Sequence, residues 1–257
     1  MARFLRSALL ALLAASLLGG CSTLEVSEKD SPQVILDKAD RARQKGLYNK
    51  AVENYQRLES LYPYSREALQ AQLMTAYTYY LKGDALPAVH AADRFIRLHP
   101  RNPHVDYALY LKGIAHYAKI GKPDRDPEHA RKAIEAFNQL LRQHPESRYA
   151  RDALQRARKA DRILARHELH VGRYYFDRQA YVAVVNRCHR VLTQHASTPA
   201  RAPALALMAR AYARLGLDQL ARDTVAILAH NFPDSPDLAA ARRALEGAPV
   251  LGADPDA

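Results

Sequence analysis

The stretch Gly46-Leu47-Tyr48-Asn49-Lys50-Ala51-Val52-Glu53-Asn54-Tyr55-Gln56-Arg57-Leu58-Glu59-Ser60-Leu61-Tyr62-Pro63 carries three marks at fixed spacing. Gly46 is followed after five residues by Ala51, and after twelve more by Pro63. The same marks return as Gly83, Ala88 and Pro100, and again as Gly216, Ala221 and Pro233. Two further copies are degenerate. Ala133 precedes Pro145 by twelve residues, and Tyr181 to Ala196 keeps the apolar phase without the Gly or the Pro. Each mark has a physical task. A glycine can take the left-handed backbone that ends a helix. An alanine lets two helices cross too closely for a larger side chain. A proline stops the second helix and opens the next unit. The fold read from these marks is all-α, a series of helix hairpins.

The repeat distance of 37 residues (63 to 100, and 196 to 233) falls in the tetratricopeptide class, whose units run to about 34. The expectation is an α-solenoid of about five tetratricopeptide-like helix pairs over residues 32–246, with a C-terminal capping helix near Leu238–Leu245. Helices are expected near 32–45 and 48–62, near 66–82 and 84–99, and near 200–215 and 217–232. Asp84, after Gly83, is an N-cap candidate for its helix. The third repeat is eight residues longer than 37, with its surplus in Gly121-Lys122-Pro123-Asp124-Arg125-Asp126-Pro127. There Asp126 can cap a helix whose first-turn proline is Pro127. The fourth repeat is fourteen residues longer than the standard unit, and no Gly or Pro interrupts Arg148 to Val171. Its first helix should therefore gain about four turns, roughly 21 Å.

Of the 257 residues, 48% are hydrophobic, and the formal charge is +11. A basic surface suits acidic partners or anionic lipid. No nucleic-acid recognition motif accompanies the charge, so nucleic acid is not expected as a partner. Residues 1–20 read as a cleaved signal. Arg3 and Arg6 precede the apolar run Ser7–Leu18, which is too short to span a bilayer. The run ends in Leu18-Gly19-Gly20-Cys21, similar to a bacterial lipobox, in which the cysteine becomes the lipidated first residue. Ser22 follows where an aspartate would favour retention at the inner membrane, so the expected location is the outer membrane. Residues 21–31 read as the lipidated N-terminus and a short flexible linker of roughly 17 Å, and residues 247–257 as a disordered tail. With Cys21 lipidated, Cys188 has no disulfide partner and reads as a small core residue.

Reactive chemistry is not expected. His167-Glu168-Leu169-His170 lacks the spacing of a zinc-binding H-E-x-x-H, and His99 and His144 read as helix C-terminal residues beside the dipole. The pattern holds no phosphate loop, no G-x-S-x-G elbow and no Cys/His nucleophile pair, and most carboxylates alternate with Lys and Arg as on solvated helix faces. No catalytic residue, metal or cofactor is expected.

What remains is a surface. Counted from the small residues Ala39, Ala76 and Gly113, the inward positions of the first helices take Asp40 and Arg43, then Tyr77 and Tyr80, then Tyr107, Tyr110 and Tyr117. Ten of the fifteen tyrosines lie between 48 and 117. Tyrosine offers large contact area at low rotamer cost, with a hydroxyl for backbone groups. This face is suited to an extended peptide with aromatic side chains, and Arg43 to its carboxylate. The alternative is that these rings only pack between adjacent helices.

The signal, the repeats and four longer strings together resemble the BamD (ComL-like) family of outer-membrane assembly lipoproteins. The strings are Arg94–Pro100, Asp106–Tyr110, Asp124–Arg131 and Tyr181–Arg187. The resemblance implies a non-enzymatic scaffold of the β-barrel assembly (BAM) complex, working beside other Bam lipoproteins on the periplasmic face of the outer membrane. The N-terminal repeats (32–145) would receive unfolded barrel precursors, whose targeting segments end in an aromatic residue. The C-terminal repeats (146–246) would dock a POTRA domain of BamA through Tyr181, Asn186 and Arg187. Of Val182, Val184 and Val185, at least two are expected in helix core. A different tetratricopeptide lipoprotein, such as a secretin pilotin or a peptidoglycan-associated coordinator, remains the alternative.

Overall fold

Eleven α-helices and no strand make up the described residues, 24–246, of the computed structural model. The signal segment, Cys21 and the tail 247–257 lie outside the described residues. The helices are α1 (Pro32–Gln44), α2 (Tyr48–Leu61), α3 (Arg66–Lys82), α4 (Ala85–Leu98), α5 (Val105–Tyr117) and α6 (Glu128–Gln143). They continue as α7 (Ala150–Asp177), α8 (Tyr181–Gln194), α9 (Arg201–Arg214), α10 (Asp218–Asn231) and α11 (Asp237–Glu246).

The repeat marks set the helix boundaries. Gly46, Gly83 and Gly216 have φ of 73°, 87° and 71°. In each turn the next residue donates its N–H back five residues, Leu47 to Ala42 and Asp84 to Tyr79 at 2.9 Å, and Leu217 to Tyr212 at 3.0 Å. This is the Schellman closure, which satisfies carbonyls the helix leaves orphaned. The fourth copy closes identically, Ala180 N–H to the Tyr175 carbonyl at 3.0 Å, with Gln179 in the glycine's place at φ 60°. The residues before Pro63, Pro100 and Pro233 leave the helical region at ψ of 59°, 54° and 60°, as a following proline requires. Ala51, Ala88, Ala133 and Ala221 are all fully buried, as is Val184 at the equivalent position of the degenerate copy.

Asp84 precedes α4 but makes no capping bond; its carboxylate pairs with Lys82 Nζ at 2.8 Å. Leu47, Ala180 and Leu217 hold the same turn position and cap nothing either. The hairpin turn therefore suffices. Side-chain caps occur instead at the unit starts, where Ser31 and Ser65 accept from the N–H groups of Val34 and Ala68. Asp126 accepts from Glu128 N–H at 2.9 Å, as expected of a cap. His99 turns sideways rather than along the helix axis: its Nε2 meets Gln72 Oε1 at 3.0 Å and its ring leans on Phe95.

The chain divides into two compact units, residues 24–118 with 139–150, and residues 119–138 with 151–246; α6 contributes to both. In the first unit each of α1 to α5 packs on its sequence neighbour, and the first helices α1, α3 and α5 also pack side by side. Ile35, Leu36 and Ala39 of α1, with Ala51, Tyr55 and Leu58 of α2, form its N-terminal core. In the second unit Cys188 is buried with Val184, Val191 and Leu207, while Leu205, Val225, Leu228 and Leu238 join α9, α10 and α11. Helix α7 runs 28 residues and passes through Gly172. A Cβ there would meet Leu207 Cδ2 at 3.2 Å and Arg187 Cβ at 3.6 Å, so the missing side chain allows close packing against α8 and α9. The stretch free of Gly and Pro ends at Val171, and the helix continues through the glycine to Asp177.

Residues 24–31, expected as a flexible linker, are packed against the first hairpin. Leu24 is buried, and its carbonyl accepts from Asn54 Nδ2 at 2.9 Å. Tyr62 donates its hydroxyl to the Asp30 carbonyl at 2.9 Å, and Lys38 pairs with the Asp30 carboxylate at 2.7 Å. A composition of Ser, Glu, Lys and Asp reads as coil, yet here the charges meet partners on α1 and α2, including Lys50 for Glu25 and Arg57 for Glu28.

Candidate functional site

On the first unit, five of the six residues nominated for peptide binding fall into two sets of contacts, Arg43 with Tyr77 and Tyr80, and Tyr107 and Tyr110 with Tyr149. Arg43, near the end of α1, is half-buried and fixed. Its Nε donates to the Tyr55 hydroxyl at 3.2 Å and a terminal nitrogen donates to Asp40 at 3.1 Å, while Tyr55 donates to the same carboxylate at 2.5 Å. Burial, and next the hydrogen bond to Asp40, push the Tyr55 hydroxyl well above its ordinary range, so it stays a neutral donor. The Arg43 guanidinium lies 5.6 Å from the centre of the Tyr77 ring, and Tyr77 stacks on Tyr80 at 6.4 Å.

Tyr107 begins the second set. Burial first, and then its neighbours Tyr149 and Tyr77, hold its phenol protonated far above the usual value. Tyr149 stacks on both Tyr107 and Tyr110, at 5.1 and 4.8 Å. Asp106 sets this geometry. One carboxylate oxygen accepts from Tyr107 N–H and the other from the Ser147 hydroxyl, each at 2.6 Å, and Ser147 Oγ accepts the N–H of Tyr149. Arg148 donates to the Tyr149 hydroxyl and lies 4.8 Å from its ring centre.

Beyond Tyr107 and Tyr149 opens a cavity of about 570 Å³, floored by Leu69, Leu73, Met74 and Phe95, with Arg66 and His104 also on its wall. Arg66, Leu73, Tyr77 and Tyr80 occupy one stripe of α3, so the cavity and the tyrosines share a face. Phenol edges, an apolar floor and guanidinium groups together fit an extended peptide carrying an aromatic side chain.

Tyr117 is half-buried on the same helix, seven residues and so about 10 Å along the axis from Tyr110. In-register counting pairs Arg43 with Tyr80 and Tyr117, yet the contacts run obliquely, Arg43 to Tyr77 and Tyr107 to Tyr149. Packed helices interlock along rows inclined to their axes, which produces this drift. Tyr149 was not nominated because the count followed the middle of each first helix, whereas Tyr149 stands just before α7. Its signal was the Ser147-Arg148-Tyr149 turn following Pro145.

On the second unit, Tyr181 is half-buried against Phe176 at 5.4 Å. Asn186 is exposed. Arg187 donates to Glu168 Oε2 at 3.0 Å, with Arg190 at 3.8 Å from the other oxygen. Glu168 is only 7% exposed, so Arg187 has a structural task beside any docking. Val184 is fully buried and Val185 packs against the same core, while Val182 is 63% exposed, as expected for two of the three valines. Among the described residues no group of His, Cys, Asp and Glu could hold a metal ion, and no helix is long and apolar enough to cross a membrane.

Comparison with known proteins gives a consistent answer. The family described as YfiO, outer membrane lipoprotein, matches residues 28–228. Outer membrane protein assembly factor BamD of Neisseria meningitidis serogroup A is 38% identical, over 86% of this chain and 89% of its own. BamD of Vibrio cholerae serotype O1 is 34% identical, over 80% of this chain and 90% of its own. Among solved structures, the TPR2AB domain of yeast Sti1 matches over 84% of each chain with 16% identity and a TM-score of 0.41. With the family match spanning most of the chain and BamD relatives matching nearly end to end, the chain belongs to the YfiO family of outer membrane lipoproteins.

Proposed function

We propose that this chain is a non-enzymatic scaffold of the outer-membrane β-barrel assembly complex, lipid-anchored through Cys21 on the periplasmic face of the outer membrane. Its first unit receives unfolded barrel precursors, and its second unit docks a POTRA domain of BamA. The names of the relatives, outer membrane protein assembly factors, support the assembly role. The observation that carries the precursor site is the pair of contact sets, Arg43–Tyr77–Tyr80 and Tyr107–Tyr149–Tyr110, with the 570 Å³ cavity opening beside the second. A precursor segment ending in an aromatic residue would place that ring in the cavity and its backbone across the tyrosine hydroxyls.

The test uses the chain and a fluorescent peptide copied from a barrel C-terminus. Tyr107→Ala with Tyr149→Ala should weaken binding at least tenfold, because each ring removes a large contact surface. Unchanged affinity refutes the site. For the BamA side, exposed Asn186 is the cleaner probe. Asn186→Lys should reduce co-purification of BamA without altering helicity, and an undiminished yield removes that contact.

A further inference from the structure

The second unit carries a cleft that the repeat packing does not require. It encloses about 750 Å³ between one face of α7, the loop Lys122-Pro123-Asp124 and the segment Thr198–Pro203. Arg162, Arg166 and Arg173 line it from positions i, i+4 and i+11 of α7, so they form one exposed stripe about 16 Å long. Lys122 adds a fourth cation from the loop, and Asp124 is the one acid on the wall.

Three of the four carboxylates on the helix are committed elsewhere, and the fourth, exposed Asp177 one turn beyond Arg173, forms no salt bridge with the stripe. Asp161 holds His195 at 2.6 Å, Glu168 holds Arg187 at 3.0 Å, and Asp152 pairs with Arg156 at the far end. Among the described residues, none of the four cleft cations is in a salt bridge with a carboxylate. Like charges gathered without counter-charge cost self-repulsion, so the arrangement calls for an anionic partner. Between the arginines the surface is apolar, formed by Leu169, Pro199 and Pro203.

We propose that this cleft docks an extended acidic segment of a partner protein, about five residues long, with alternate carboxylates on the arginines. A phosphate group or lipid headgroup is compact and is held by donors that converge on one point. Here the cations are strung along a line. An extended chain rises about 3.3 Å per residue and turns alternate side chains to one side, so its carboxylates recur every 6.6 Å or so. That matches the roughly 6 Å rise from Arg162 to Arg166, while the roughly 10 Å from Arg166 to Arg173 exceeds one repeat by about 4 Å, a gap that the long arginine side chain spans. Guanidinium forks bind carboxylates in bidentate fashion, and the proline floor accommodates the backbone between them. The site shares no residue with either surface assigned above and stands without them.

The experiment measures fluorescence anisotropy of a labelled heptapeptide with alternating glutamates, and of its glutamine counterpart, on the full chain. Binding of the acidic peptide alone is expected, weakening as salt rises from about 50 to 300 mM. R162A/R166A/R173A should lower affinity tenfold or more with helicity retained by circular dichroism. Should that variant unfold, R166A alone, expected to cost about threefold, carries the same test. R162E/R166E/R173E should bind the corresponding lysine peptide instead. The Tyr107→Ala, Tyr149→Ala chain should bind the acidic peptide normally, which separates this cleft from the precursor site. Equal binding by the triple alanine variant overturns the proposal. So does loss of binding in the tyrosine variant. Arginine-dependent binding of inorganic phosphate or phosphatidylglycerol vesicles, with no binding of the peptide, overturns it as well.

Discussion

Gln179 occupies a glycine's place at φ 60° and bears the cost of a Cβ in left-handed backbone, about 1 kcal/mol. Gln179→Gly should therefore stabilise the chain by about that amount in urea unfolding, and a destabilised variant would show that the Gln side chain earns more than its strain. Cys188 illustrates burial acting on chemistry. Its thiol is pushed up to about 12 by desolvation, with Arg173 pulling weakly the other way. An unfolded thiol ionises near 8.5, so the folded state is favoured fully below that pH and loses stability as pH climbs from about 9 toward 12. The expected excess slope over Cys188→Ala is about 1 kcal/mol per pH unit, read by unfolding at pH 9 and 11. Arg187 was named from sequence as a docking charge, and its bond to Glu168 could not be seen there, because the partner lies 19 positions away. Arg187→Glu sets two carboxylates together at a nearly buried site. A loss of about 2 kcal/mol, or roughly 4–8 °C in Tm, is expected. A co-purification assay with that variant alone would thus confuse folding with docking.

At the scale of elements, helix lengths and boundaries were legible because each depends on one residue type at one place. A glycine closes a hairpin, an alanine permits a crossing, and a proline ends a unit. What escaped depends on three-dimensional offset. The oblique contacts from Arg43 to Tyr77 and from Tyr107 to Tyr149 have no fixed sequence interval, and the packing of residues 24–31 depends on Asn54 and Tyr62 rather than on its own composition. The passage of α7 through Gly172 likewise needs Leu207 to explain it. Gly172→Leu would drive a side chain into that contact, so a loss of about 2–3 kcal/mol is expected from overpacking, measured by thermal unfolding. Asp106 is the comparable device in the first unit. Asp106→Ala should release Ser147 and loosen Tyr149, weakening the precursor peptide severalfold while leaving helicity unchanged.

For the whole molecule, the division into two units assigns the proposed tasks to different cores. Tyr107→Ala with Tyr149→Ala should spare BamA co-purification, and Asn186→Lys should spare peptide affinity. Cross-effects in both directions would mean that the tasks are not separable. The same division sets what sequence could offer. Repeat phase locates side chains within a hairpin, but it carries no information on which exposed charges lack partners, as along Arg162 to Arg173. The packed segment 24–31 bears on mooring. Were Cys21 lipidated as proposed, about 10 Å of chain would separate the bilayer from Leu24, which is seated in the first hairpin. So short a leash would leave little room to swivel, and the membrane itself would fix which side of the first unit looks outward. Any pull from the lipid would then reach the helices beneath without slack.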